Sequence, residues 1–225
     1  SQLGYVGRLK VGLDWLLRKQ GLGISNHFEV GAFLCLLEDE AVPDVQLECI
    51  AMRGDFAPKG ISLEPGYQCF ASLQRPTSRG KLWIDGADPA LAPKFRFNYL
   101  STDSDKQVAI DAVKATRELF QQSAWQGRLS QELSGVNGLE SDKDIMKWVY
   151  AHVESNYHPC GTCSMGLDDK AVTDEEGRVH GINKLRVVDA SIIPSIPAGN
   201  LNAVTIMLAE KIADSILGLS PLAPE

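Results

Sequence analysis

A chain of 225 residues is long enough for one large domain or two small ones, with a substantial buried core. Its 44% hydrophobic and 23% charged residues match an ordinary globular protein, and its net charge of −7 offers no basic surface to replace phosphate counterions, which argues against nucleic acid as a partner. The most apolar stretch, residues 202–219, is interrupted by Glu210, Lys211 and Asp214, so no transmembrane segment is expected.

In chain order, residues 5–19 carry apolar side chains at 6, 9, 13, 16 and 17, the period of a helix that ends at Gly21 and Gly23. The nearly continuous apolar run 28–37 predicts a buried strand. Alternation of Val45, Leu47 and Cys49 predicts a half-buried strand over 44–52. Two prolines and three glycines between 53 and 66 predict a loop. Strands are expected at 67–74 and 80–85, joined by the turn RPTSRG, and again in FRFNYL, 95–100. The period then changes. Val108, Ala112, Ala115, Leu119 and Phe120 share one face of a predicted helix over 103–122, and a second helix spans 141–153 with Ser141 or Asp142 as its cap. Residues 171–191 predict a hairpin about Gly177 and a strand through Val187 and Val188, and the final helix begins near Asn200 and runs into Gly218. Strands followed by helices indicate an α+β fold, a mostly antiparallel sheet with helices on one face, while the last 70 or so residues read as part of a different domain.

Five cysteines, an odd number with no apolar leader, predict reduced thiols and a cytoplasmic location, with peripheral attachment to a membrane left open. A chain opening at Ser1 is expected to be a fragment, a processed product or an expression boundary.

The densest chemistry lies in NYHPCGTCSMG, residues 156–166. His158, Cys160 and Cys163 have the spacing of half a zinc site, but a structural site needs four ligands and no second cysteine pair exists. A thioredoxin-like pair would require the C-x-x-C to open a helix, and here it leads into a hairpin. No metal site is therefore expected, and the cysteines read best as small apolar residues packing a turn. His158, ahead of Pro159 on a loop leaving a helix, is placed either to aim an imidazole into a cleft or to serve structurally. A second constellation is VVDASIIPSIPAGNLNAVTIM, in which Asp189 is expected to end a strand and Asn200 and Asn202 open a long helix without an acid in its first turn. Such a helix start suits an electron-rich ligand atom, although Asn200 could equally be a simple cap.

The segments SNHFEVGAFL, RPTSRGKLWI, FRFNYLSTDSD, YHPCGTCSMG, GRVHGINKLRVVDASIIP and GNLNAVTIMLAEKIAD, in this order and spacing, resemble the C-terminal half of the glucose–methanol–choline flavoprotein oxidoreductases, nearest to the choline dehydrogenase branch. The resemblance implies a substrate-binding domain over residues 1–150. Residues 151–225 would be the C-terminal part of a Rossmann-like FAD-binding domain, its strand–helix arm. It implies FAD as cofactor and oxidation of a primary alcohol to an aldehyde, with His158 as catalytic base and Asn202 as its partner. Asp189, Ala190, Asn200 and Ala203 would line the flavin, and Glu29 with Phe28 would hold a cationic substrate such as choline. The resemblance is incomplete in two places. No histidine lies between His27 and His152, where choline-oxidising members use one. No G-x-G-x-x-G follows a strand, so the pyrophosphate grip is expected from an N-terminal FAD-binding half, in a longer chain or a separate subunit, without which the chain is expected to be inactive. The rival readings are another alcohol oxidase of the same family, a non-catalytic module binding a cationic small molecule, and a small metal or redox protein.

Overall fold

The computed structural model describes residues 4–28, 30–37, 41–57 and 60–220, with the side chains of 55–57 and 60–63 left aside. Helix α1 (Tyr5–Arg18) ends at Lys19, whose left-handed backbone (φ 53°) lets its N–H cap the helix by bonding to Trp15 O at 3.1 Å. Strands β1 (Val30–Leu34) and β2 (Val45–Ile50) pair antiparallel in the register Val30 to Cys49 and Leu34 to Val45. The buried carboxylate of Asp44 fastens this pair, accepting hydrogen bonds from Leu36 N at 2.9 Å and Leu37 N at 2.7 Å. Strand β5 (Gln68–Leu73) adds to the other side of β2, giving the order β1-β2-β5. Between them, β3 (Arg53–Ala57) and β4 (Gly60–Glu64) form an antiparallel hairpin, as do β6 (Lys81–Trp83) and β7 (Lys94–Arg96). Helices α2 (Asp103–Gln121), α3 (Asp142–His152) and α4 (Leu201–Leu217) follow. This is the expected α+β fold, with antiparallel sheets and long helices.

Five expectations are corrected. The run 28–37 forms an edge strand rather than a buried one. With a neighbour on one side only, β1 leaves Val30 and Phe33 more than half exposed. Its partner β2 is central and covered on both faces, so Val45, Gln46 and Leu47 are all buried, where only one side was expected to be. The predicted loop over 53–66 includes the β3–β4 hairpin, and Pro65 follows β4 without removing a donor from the ladder. The strand from 95 to 100 stops at Arg96, since Asn98 and Leu100 adopt left-handed backbones (φ 57° and 53°). The strand through Val187 and Val188 is reduced to an isolated antiparallel bridge between Arg178 and Arg186.

The chain divides into two compact units, one of residues 1–72 and 111–135, the other of 73–110 and 136–225. In the first, Val45, Leu47, Ile50 and Ala112 are buried, and Trp125 packs against both Tyr67 and Phe120. In the second, the core gathers one face of α3 (Ile145, Val149), the start and middle of α4 (Leu201, Ile212), Val108 to Ile110 of α2, and Ile192 and Ile193. The second unit carries the candidate site.

Candidate active site

Two backbone segments of the second unit hold the site. The first leaves α3, whose N-terminus is capped by Ser141, its hydroxyl accepting from Asp144 N at 3.1 Å. Ile145 and Val149 bury the helix's inner face, so its exit is anchored to the core. The chain then turns through Tyr157, which takes a left-handed backbone (φ 57°) and donates its N–H to Ser155 Oγ at 3.0 Å. A non-glycine residue in that region is uncommon, and such local strain is found where surroundings dictate the geometry. His158 follows, half-buried, its backbone restricted by Pro159. Gly161 (φ 87°) passes so close to the second segment that a Cβ there would lie 3.3 Å from Ile193 O.

The second segment, 189–193, is laced to the first by Cys163 N donating to Ser191 O at 3.0 Å and Met165 N donating to Ile192 O at 2.8 Å. Asp189 does not end a strand. It caps the short 3-10 turn Ala190–Ile192, accepting from Ser191 N at 2.8 Å, and its hydrogen bonds with Ser191 hold its carboxyl below the usual value. The fully buried Thr173 donates its hydroxyl to Cys163 O at 3.2 Å, closing the back of the loop. Prolines 194 and 197 then lead to Asn200 and α4.

The two segments meet where Asn200 Nδ2 lies 3.3 Å from His158 Nε2. An amide nitrogen can only donate, so in this contact Nε2 is the atom placed to accept. A general base needs an accepting lone pair. The family resemblance put Asn202, not Asn200, beside His158. Asn202 is exposed on the first turn of α4, and its side chain forms no hydrogen bond among the described residues. Asn200 makes no side-chain cap on α4, so the first-turn N–H groups of that helix remain open, and its first turn holds no acid. Such an end favours acceptor atoms and negative charge. Asp189 and Ala203 are exposed and Ala190 half-buried, so all four residues expected to line a flavin are accessible in this unit.

A third element was not anticipated. Asp105, on the first turn of α2, is 4% exposed. Its carboxylate accepts from Thr77 N (2.8 Å), Thr77 Oγ1 (2.9 Å) and Ser78 N (2.8 Å), and so clamps the RPTSRG turn. Burial raises its carboxyl, but these donors outweigh burial and bring it below the usual value. The clamped turn delivers Arg79, whose guanidinium donates to Pro76 O at 2.7 Å and whose charge acts on Cys160. Burial pushes the Cys160 thiol up and Arg79 offsets this only in part, which fits a packed residue rather than a reactive thiolate. In sequence Asp105 looks like an ordinary helix-start acid. The one signal was a turn crowded with donors, Thr77 and Ser78, that needs an acceptor from elsewhere.

Phe28 belongs to the first unit, 48% exposed, with its ring centroid 6.1 Å from that of Phe70. Glu29 lies outside the described residues. No group of three or more His, Cys, Asp or Glu side chains is placed to hold a metal ion among the described residues, and none of the described helices is long and apolar enough to cross a membrane. An open cleft of about 690 Å³ lined by Asp174, Arg178 and His180 does not include His158.

Comparison with known proteins agrees with this architecture. The family model described as GMC oxidoreductase, in its C-terminal form, matches residues 76–209, more than half of the chain. An oxygen-dependent choline dehydrogenase of Citrobacter koseri is 44% identical over 95% of this chain and 38% of its own length. Another, of Chromohalobacter salexigens, is 42% identical over 98% of this chain and 39% of its own length. The chain thus spans well under half the length of the curated relatives it matches. Among solved structures, a variant of Aspergillus oryzae formate oxidase superposes with a TM-score of 0.82 at 25% identity, covering 94% of this chain and 42% of that one. Pyridoxine 4-oxidase from Mesorbium loti superposes at 0.74 with 28% identity, covering 87% and 39%. The fold, the order of the motifs and these matches together place the chain in the GMC oxidoreductase family, whose members are FAD-dependent flavoproteins.

Proposed function

We propose that this chain supplies the base-bearing part of an FAD-dependent alcohol dehydrogenase of the choline dehydrogenase type, oxidising a primary alcohol to an aldehyde. The observation that carries the reading is the His158–Asn200 pair, an imidazole 3.3 Å from an amide at the mouth of a helix without a side-chain cap. In this reading residues 1–150 bind substrate and residues 151–225 complete the flavin-binding domain. An N-terminal FAD-binding half, in a longer chain or as a separate subunit, supplies the pyrophosphate grip.

Oxidising an alcohol removes the hydroxyl proton and a hydride from the same carbon. His158 Nε2 accepts the proton, the substrate hydroxyl taking the donor position that Asn200 occupies at rest. The Asn202 amide, free of other partners, donates to the oxygen as it gains negative charge. Bound FAD supplies the hydride acceptor. The residues fit that group: the open N–H groups of α4 offer donors to an electron-rich ring edge, and Asp189, Ala190, Asn200 and Ala203 are accessible to it. The family resemblance would assign Glu29 to the cationic head of choline by charge and Phe28 by a cation–π contact.

The test is His158→Ala in the FAD-loaded protein complete with its N-terminal half. Turnover of choline should fall by roughly 10²–10⁴-fold, since a positioned acid–base group is worth that much, while the flavin spectrum stays unchanged. Near-normal turnover removes His158 from the mechanism.

A further inference from the structure

We propose that Cys49 and Cys69 are a cross-strand pair that closes to a disulfide on exposure to a low-molecular-weight disulfide such as oxidised glutathione. The two residues sit on adjacent strands, β2 at the centre of the three-stranded sheet and β5 at its edge, and their sulfurs lie 3.2 Å apart. Neighbouring strands stand about 4.8 Å apart, which falls within the backbone separation a disulfide spans. Closing to a bond of about 2.05 Å needs a movement of about 1.2 Å, within the reach of side-chain rotation alone. Both thiols are free and half-buried. No other pair of cysteine sulfurs is in contact among the described residues, including the C-x-x-C of Cys160 and Cys163.

The step balances without any other oxidant. The Cys49 thiolate attacks one sulfur of oxidised glutathione, breaking its S–S bond and forming a mixed disulfide while the departing glutathione thiolate takes up a proton. Cys69 then loses its proton, attacks the Cys49 sulfur, and expels the second glutathione thiolate, which is protonated in turn. Two protein thiols are oxidised and one small disulfide is reduced to two thiols. Burial, aided by the hydrogen bond and charge of Cys49, pushes the Cys69 thiol up. Closure is therefore slow at neutral pH and faster as pH rises. The product ties the central strand to the edge strand across a sequence separation of 20 residues that contains the β3–β4 hairpin.

The experiment incubates the native protein with oxidised glutathione, alkylates the remaining thiols and digests without reductant. Tryptic cleavage at Lys19, Arg53, Lys59 and Arg79 places Cys49 and Cys69 on separate peptides, 20–53 and 60–79, the Arg75–Pro76 bond being resistant; a Cys35→Ser background removes the other cysteine of the first peptide. The expected result is loss of two thiols, a linked pair of those two peptides, and full reversal by dithiothreitol. Cys49→Ser should abolish the linked species. Unchanged thiol content in the wild-type protein, which needs no variant to fold, would overturn the proposal, and so would a linkage between Cys160 and Cys163 instead.

Discussion

At the residue scale, the motif around His158 was legible as a candidate site, but which amide stands beside the imidazole was not. Asn200 and Asn202 are two positions apart, so both open the same helix, and the sequence could not say which amide turns toward the imidazole. The approach of α4 through Pro194 and Pro197 decides it, bringing Asn200 to 3.3 Å. Asp105 was missed for a different reason. Its acceptor role depends on a turn 27 and 28 residues earlier in the chain, a separation that no local pattern reports. Asp105→Ala should destabilise the protein by about 2–3 kcal/mol, because two backbone amides and a hydroxyl lose a charged acceptor. The carboxyl is below its usual value in the folded state, so its contribution is present above the unfolded value and lost as pH falls through the folded one. Urea midpoints of wild type and Asp105→Ala should therefore converge as pH falls through and below the ordinary carboxylate range. A constant gap would show that the clamp is not electrostatic. For substrate binding, Glu29→Gln should weaken choline and spare an uncharged alcohol of similar size. Equal loss for both, measured as KM, would make Glu29 a structural residue.

At the element scale, helices were legible because each carries a long amphipathic period and a recognisable end. Helix α4 closes as expected at Gly218 (φ 70°), where Gly218 N bonds Ser215 O and Leu219 N bonds Asp214 O, a Schellman arrangement. Strands β1, β2, β5 and β6 were legible in place but not all in exposure, while β3 and β4 were read as a loop. The apolar run of β1 reads as buried because hydrophobicity alone does not distinguish an edge strand from a central one. The turn at Gly177 was legible as a turn, but its tightness was not. It combines a left-handed backbone (φ 72°) with a position where a Cβ would lie 2.6 Å from Val187 O. Gly181 has nearly the same backbone (φ 76°) and open space around it. Gly181→Ala should therefore cost about 1–2 kcal/mol for the left-handed conformation alone, and Gly177→Ala clearly more, because the backbone must move as well. Equal thermal shifts for the two variants would contradict this packing.

At the scale of the whole molecule, fold class and family were readable because six separated segments match in one order, a pattern that chance spacing does not produce. The division into compact units was not readable. The chain passes between the units at 72/73, 110/111 and 135/136, and the second of these lies within α2, a continuous amphipathic stretch whose sequence carries no break. The large apolar surface is likewise a property of the whole: Tyr5, Val6, Leu9, Leu16 and Leu17 of α1 are each more than half exposed, and α1 has no buried residue.

The central claim, that this chain completes a flavin-dependent alcohol oxidation through His158, is tested most directly by anaerobic mixing of the FAD-loaded protein with choline. The account predicts bleaching of the visible flavin band with one aldehyde formed per flavin. It is contradicted if neither choline nor any other primary alcohol bleaches the flavin, and doubly so if choline binds equally well to protein free of flavin, which would make the chain a binding module for a cation.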